Sequence, residues 1–221
     1  MTKRVLRIFG LVVFLMAGSV VSVLAQNNDF QYWMIESISW KVANNWKMFL
    51  GQEAYFQNDA SDFYYEHTEI GADYTGFAKW VDVGLHYRHV LSKTNDIWLR
   101  EEQPSLNVTL KGVLKNWSFS DRNRFEYRIK EDAEDGWRYR NLVTIKFPWK
   151  ITRYQIQPYF ADEMFADFLK EEINENRLYT GFSFTFTQNI GLDIFYMWRR
   201  IKSSGKWQTN DVLGTNLKLT F

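Results

Sequence analysis

Beyond about residue 30, apolar and polar side chains alternate along almost every stretch of the chain. Segments 81–87, 106–110 and 182–186 show the alternation most clearly. Successive side chains of a β-strand point to opposite faces, so a period of two is expected of strands with one apolar and one polar face. No segment of this region has a convincing helical period. The pattern therefore predicts an all-β protein.

The alternating segments number eleven, centred near residues 36, 51, 70, 86, 106, 124, 143, 158, 182, 195 and 215. Short turns recur every 34 to 39 residues, at 43–45, 76–79, 115–116, 150–153 and 188–189. Longer polar stretches, interpreted as loops, lie between them at 58–62, 92–96, 131–136, 170–176 and 202–210. Tight turns at one end and longer loops at the other are typical of outer-membrane barrels. A solenoid, the usual meaning of a period near 35 residues, does not pair its strands in this way.

Bacterial single-chain barrels normally have an even number of strands, so a count of eleven leaves the parity open. We predict an antiparallel transmembrane β-barrel of about 10–12 strands, with short periplasmic turns and longer outer loops.

Aromatic residues make up 18% of the chain and include 10 tryptophans. Trp and Tyr favour the boundary between hydrocarbon and water, because the ring is apolar and its N–H or O–H group is polar. Five tryptophans lie close to the short turns: Trp40, Trp46, Trp80, Trp117 and Trp149. A soluble periplasmic barrel of the lipocalin type is the alternative, and it would enclose its apolar face instead. Because such a barrel has no reason to gather aromatic rings at every turn, we expect the apolar face outside, against lipid.

The first residues predict export. Lys3, Arg4 and Arg7 precede an uncharged apolar run over residues 8–24, and small or β-branched residues follow. This arrangement predicts a signal peptide over residues 1–25, cleaved between Ala25 and Gln26, with the barrel over residues 26–221. A retained membrane anchor is the alternative. The chain has no cysteine, which excludes disulfides and lipid attachment at the cleavage site.

The last strand alternates over residues 213–221 and ends on Phe221. A terminal aromatic residue on the apolar face is similar to the assembly signal of outer-membrane barrels. We therefore expect the barrel-assembly machinery and outer-membrane lipid as partners, and the outer membrane of a Gram-negative bacterium as the location.

The densest charged cluster is cationic and lies on two neighbouring strands. Its members share one face, which is predicted to line the lumen: Arg122, Arg124, Arg128, Arg138 and Arg140. Their expected carboxylate partners are Glu101, Glu126 and Glu163. An arginine that faces lipid at the membrane midplane costs about 2–4 kcal/mol, so the lumen is the preferred side. Asp121 and Asn123 would then point outward, which we interpret as a sign of a β-bulge.

This cluster supports two interpretations. The arginines either pair with carboxylates and fill a narrow lumen, because buried charges need partners, or they line a pore or pocket that attracts acidic sugars, phosphate or carboxylates. A lipid-modifying enzyme is a third interpretation, which rests on His67 and His86 with Glu69 as orienting carboxylate. No serine lies at a matching height on these strands. We predict a non-enzymatic protein, and no motif indicates a metal, a cofactor or a nucleic-acid partner.

The strand sequence DRNRFEYR at 121–128, with WRYRN at 137–141 and QPYFADEMF at 157–165, resembles the DUF2490 family. The sequence QYW at 31–33 and the final phenylalanine also fit. The resemblance extends over essentially all of the chain that follows the predicted signal peptide. It implies an exported outer-membrane barrel of Gram-negative, Bacteroidetes-like bacteria. The family carries no established activity, so the resemblance implies no catalytic residues.

Overall fold

The computed structural model describes residues 29–203 and 205–221, and this part of the chain is all β. The predicted cleavage site at Ala25 and Gln26 lies outside the described residues. The strands are β1 (Asp29–Ala43), β2 (Trp46–Gln57), β3 (Asp62–Ala78), β4 (Val81–Thr94), β5 (Ile97–Leu114), β6 (Trp117–Lys130), β7 (Gly136–Lys146), β8 (Gln157–Asp167), β9 (Glu172–Thr185), β10 (Ile190–Ser203) and β11 (Lys206–Thr220). All eleven predicted strands are confirmed. None of the described residues forms a helix that is long and apolar enough to cross a membrane.

The sheet closes into a barrel of these eleven strands. Consecutive strands pair antiparallel, whereas β1 pairs with β11 in parallel, from Asp29 opposite Asn210 to Ser39 opposite Thr220. Strand direction alternates along the chain, so the first and last strands of an odd set run the same way. The parallel pair therefore settles the parity as odd and corrects the prediction of a wholly antiparallel barrel. Phe221 extends the closure, because its N–H donates to the Ser39 carbonyl at 2.9 Å and its carbonyl accepts from the Lys41 N–H at 3.0 Å.

One prediction about the connections was wrong. We define the turn end as the end that holds the connections 44–45, 79–80, 115–116, 147–156 and 186–189, and we name the other end the acidic end. The acidic-end connections 58–61, 95–96, 131–135 and 168–171 are only two to five residues long, and the longest connection of the described chain, 147–156, lies at the turn end. Polar stretches taken for loops continue the strands instead. At 95–96, for example, Asn95 and Asp96 have φ of 51° and 64°, values that suit a two-residue hairpin turn.

The outer face of the barrel is apolar and the inner face is charged, as predicted. Outward apolar side chains are exposed, such as Leu85 at 69% and Phe125 at 41%. Inward charged side chains are buried, such as Arg124 at 2% and Glu126 at 0%. The predicted division of faces is confirmed, and the lipocalin-type arrangement, with its apolar face enclosed, is wrong. At the turn end the exposed rings include Trp46, Trp80, Trp149, Phe77 and Phe221.

Some polar side chains also point outward, but no bulge causes this. The pairing of β6 with β5 and β7 shows no register shift, so the interpretation of Asp121 and Asn123 as a β-bulge was wrong. Their outward groups pair with one another instead. Asn141 donates to Asp121 at 2.6 Å and to Asn123 at 3.2 Å. Around the barrel, Glu102 accepts from Tyr87 at 2.7 Å in the same way.

Odd-numbered closure can be tested by cross-linking. Ile38 and Leu219 are directly opposite in the parallel pair, and adjacent strands lie about 4.8 Å apart, within the range a disulfide can bridge. The variant Ile38→Cys/Leu219→Cys, in a chain that otherwise has no cysteine, should oxidise readily to an internal disulfide with altered gel migration. Ile38→Cys/Leu213→Cys is the control, because its thiols lie about 20 Å apart along the strand direction. Equal cross-linking of both variants, or none of the first, would contradict the closure.

Candidate functional site in the barrel lumen

A network of arginines and carboxylates crosses the lumen, and Glu126 lies at its centre. Arg138 binds one oxygen of Glu126 through Nε and Nη2, both at 2.6 Å. Arg140 donates to the other oxygen at 3.0 Å, and Arg88 and Arg124 lie 3.8 Å from it. Because β6 alternates strictly, its even-numbered residues all point inward, and Glu126 is fully buried. One carboxylate thus neutralises charge from three strands.

Glu69 on β3 forms the second centre. Arg124 holds both of its oxygens, with Nη2 at 2.7 Å and Nη1 at 3.2 Å. Arg88 donates to it at 2.5 Å, and His86 lies 2.6 Å away through Nδ1. Since β4 and β5 separate β3 from β6 around the wall, the contact between Arg124 and Glu69 runs across the interior.

Glu163 on β8 forms the third centre. Arg140 binds it at 2.7 Å, Arg122 at 3.3 Å and Arg177 at 3.5 Å, and Tyr179 donates to it at 3.1 Å. A single carboxylate is therefore shared by three guanidinium groups.

An aromatic layer packs against the carboxylate centres. The guanidinium of Arg177 lies 4.8 Å from the Trp33 ring centroid and 4.4 Å from that of Phe165. Trp33 stacks on Tyr55 at 3.7 Å, and Tyr55 stacks on Tyr65 at 4.5 Å. Trp33 and Phe165 are each 1% exposed. We name this layer, together with the three carboxylate centres, the plug.

The structure brings together four of the five arginines singled out in the sequence. Arg122, Arg124, Arg138 and Arg140 converge on Glu69, Glu126 and Glu163. Arg128 instead pairs with Glu101, at 2.5 Å and 2.8 Å, closer to the acidic end.

Sequence reasoning missed Glu175, because 170–176 was taken for a loop, and it also missed Arg177, which follows directly. Glu175 accepts from Arg177 and Arg199 at 2.7 Å each. Their alternation with Asn176 and Leu178 was the available signal, and β9 already begins at Glu172.

The inward arginines are closely balanced by acidic groups. Eight of them form ion pairs in the lumen: Arg88, Arg122, Arg124, Arg128, Arg138, Arg140, Arg177 and Arg199. Seven carboxylates face them or the neighbouring His67: Glu53, Glu69, Glu101, Glu126, Glu163, Glu175 and Asp167. This balance is the arrangement expected of a lumen filled by paired charges.

A cavity of about 570 Å³ lies between the plug and the turn end. Its lining runs from Arg124 and Glu163 down to Ser39 and Thr220 at the turn end. We name this cavity the vestibule. Arg128 and Glu101, on the other side of the plug, do not line it. The vestibule therefore occupies one half of the lumen.

His86 borders the vestibule, but its ring nitrogens are both occupied. Nδ1 lies 2.6 Å from Glu69 and Nε2 lies 3.1 Å from Asp73. The ring packs so closely on Gly71 that a Cβ there would lie 2.4 Å from it. Ser105 is directed to the carbonyl of His86, at 3.5 Å, and not to the ring. Since a nucleophile must bond to a free nitrogen of its base, this arrangement does not form a Ser–His pair. In the described ranges, no group of three or more His, Asp or Glu side chains could hold a metal ion.

The central role of Glu126 leads to a stability prediction. Glu126→Gln removes the negative charge from two directly bound arginines, and breaking a buried ion pair costs about 3–5 kcal/mol. We expect the unfolding free energy in detergent, measured by urea titration, to fall by that order. Glu134→Gln, an exposed change of the same chemistry at the acidic end, is the control and should stay within about 0.5 kcal/mol. Equal stability of the two variants would show that the network does not stabilise the fold.

Comparison with protein families gives one match. The family model described as "Protein of unknown function (DUF2490)" matches residues 30–210. No curated protein and no solved structure matches the chain. The match extends from β1 into β11 and includes the whole plug, so the chain belongs to the DUF2490 family.

Proposed function

We propose that this protein is an outer-membrane β-barrel of a Gram-negative bacterium, exported by a cleaved signal peptide, with a lumen sealed by the plug and no catalytic activity. The observation that carries the proposal is the inverted barrel: apolar side chains cover the outside and ion pairs fill the inside. In water such an exterior would be an exposed apolar surface far larger than soluble monomers tolerate. In a bilayer it is the favourable surface, and closure leaves no unpaired strand edge.

The dimensions suit a membrane. A tilted transmembrane strand needs about 9–11 residues, and the strands here have 11 to 18 residues. The extra length extends the barrel beyond the hydrocarbon layer, which accounts for polar strand segments near the acidic end.

The charge at the two ends supports an orientation. Exposed cations surround the turn end: Lys41, Lys47, Lys79, Lys115, Lys150 and Arg153. Exposed acids surround the other end: Asp59, Asp96, Glu131, Asp132, Glu134, Asp135 and Glu171. Basic residues beside exposed tryptophans are the combination that anchors proteins to anionic headgroups. We propose that the turn end faces the periplasm and contacts lipid, and that Phe221 serves as the signal for the barrel-assembly machinery.

The outward polar groups are compatible with this location because they form hydrogen bonds with one another. Asn176 donates to Asp162 at 2.6 Å, and Thr68 donates to Gln52 at 2.5 Å. Mutual hydrogen bonding removes most of the penalty of placing an amide or hydroxyl against lipid. Glu36 and Glu66, outward side chains of β1 and β3, are charged exceptions in the described part of the chain.

A narrow pore that favours small anions is the second candidate. The vestibule already opens half of the lumen, so only the plug separates it from the acidic end. A lipid-modifying enzyme is less well supported, because both nitrogens of His86 are held by carboxylates.

Location is tested by expression in a Gram-negative host. We expect the protein in the outer-membrane fraction, resistant to alkaline extraction, with faster gel migration before boiling than after it. Phe221→Ala should reduce the fast-migrating form several-fold, whereas Phe77→Ala, another exposed turn-end phenylalanine, should not. Recovery in the soluble periplasmic fraction would refute the proposal. If the two variants give equal amounts of the fast-migrating form, only the proposed role of Phe221 is refuted, and the proposed location stands.

Conductance separates the sealed barrel from the pore. We expect planar bilayers that contain the wild-type protein to stay silent, because plug side chains such as Glu126 and Trp33 are at most 1% exposed. A steady anion-selective current, reversed in preference by Arg140→Glu, would establish the pore instead. Arg153→Glu is the control, since Arg153 lies on the exposed 147–156 connection, away from the plug, and its charge reversal should not reverse the preference of any current.

A further inference from the structure

We infer that the vestibule is a binding site for a small hydroxylated organic anion that enters from the turn end. This inference goes beyond the proposed function and does not depend on where the barrel resides. It rests on the charge, shape and lining of the cavity between the plug and the turn end.

Two vestibule cations have charge that the protein itself does not fully neutralise. Lys146 donates to Ser183 at 3.0 Å and lies 5.9 Å from the Tyr159 ring centroid. Within the described part of the chain, no carboxylate forms an ion pair with it. Arg122 contacts Glu163 at 3.3 Å, but that carboxylate is bound more closely by Arg140 at 2.7 Å. The Arg122 side chain is 31% exposed, so part of its guanidinium fork faces the vestibule.

Two acids near the turn-end side of the vestibule already have a basic partner. Asp193 accepts from Lys218 at 2.6 Å, and Asp73 lies 3.1 Å from His86. Lys218 therefore has a carboxylate of its own, whereas Arg122 shares Glu163 with Arg140 and Lys146 forms no ion pair in the described part of the chain. An anion that carries one carboxylate or phosphate would supply the missing negative charge.

The remaining lining defines the rest of the ligand. The serines and threonines that surround the cavity number six: Ser37, Ser39, Thr109, Ser120, Thr144 and Thr220. Hydroxyl groups both donate and accept, so they match the hydroxyls of a sugar-like molecule. Tyr159 and Phe195 provide an apolar wall on one side. A volume of about 570 Å³ lies within the usual range of small-molecule sites.

Access is one-sided. The plug closes the acidic-end side, and the lining reaches Thr220, an exposed residue at the turn end. The exposed turn-end cations surround this mouth and raise the local concentration of anions. The ligand therefore enters and leaves the vestibule through the turn end.

The test is calorimetry on the purified barrel in detergent with three probes: glucuronate, glucose 6-phosphate and glucose. We expect at least one of the two anions to bind at least about tenfold more tightly than glucose, with affinity that falls as salt is raised. A preference for glucuronate or for glucose 6-phosphate identifies the anionic group. Binding of neither anion, or equal binding of glucose, would overturn the inference.

Variants locate the site. Arg122→Gln and Lys146→Gln should each weaken anion binding about tenfold, and Lys146→Arg should retain it. Lys170→Gln is the control, an exposed cation at the acidic end, and should bind as the wild type does. Heat-dependent gel migration verifies that each variant is folded. If Lys146→Gln folds and binds normally, or if Lys170→Gln loses as much affinity, the vestibule is not the site.

Discussion

The lumen buries many charged side chains away from water, and the need to pair them is the constraint on which this barrel depends. Each buried ion carries a penalty of several kcal/mol unless a partner and further hydrogen bonds compensate for it. The protein meets this requirement by sharing: Glu126, Glu69 and Glu163 each bind more than one guanidinium, with contacts as short as 2.6, 2.5 and 2.7 Å. Removing any one of these carboxylates would take a partner from several arginines at once. The network is therefore stable only as a whole, and it requires its strands to stay in register.

The same network reinforces the closure of an odd-stranded sheet. The parallel pair of β1 with β11 is the only parallel pair of the described barrel, and parallel pairing is slightly weaker per residue than antiparallel pairing. Arg177 on β9 and Arg199 on β10 lie over Trp33 on β1, at 4.8 Å and 5.5 Å. These contacts pass behind β11 and connect the two sides of the closing seam from within. Packing inside the lumen thus supports the pair formed by the first and last strands.

Period-two alternation was sufficient to predict the eleven strands, because every strand has an apolar and a polar face. It also assigned Arg124, Arg140 and Glu126 to the lumen. It could not identify that Arg124 meets Glu69, since contacts across a closed sheet join residues with no sequence relation. Strand ends could not be predicted either. The mostly polar segment 172–176 was taken for a loop, although it forms the first part of β9. A count of eleven makes the closing pair parallel once the sheet closes, but the register of β1 against β11 is not encoded in any local pattern.

The energy of the plug bears on whether the lumen conducts. Separating one buried arginine from its carboxylate costs about 3–5 kcal/mol, and each 1.4 kcal/mol is a factor of ten in population. A conformer opened by one such break would therefore account for roughly one molecule in a hundred to one in several thousand. Arg122 is the exception, because it is partly exposed and Glu163 keeps Arg140 and Arg177 when Arg122 leaves. Movement of Arg122 toward an anion would enlarge the contact with the ligand and leave the barrier closed. The physics of the network thus favours binding on one side over passage from one side to the other.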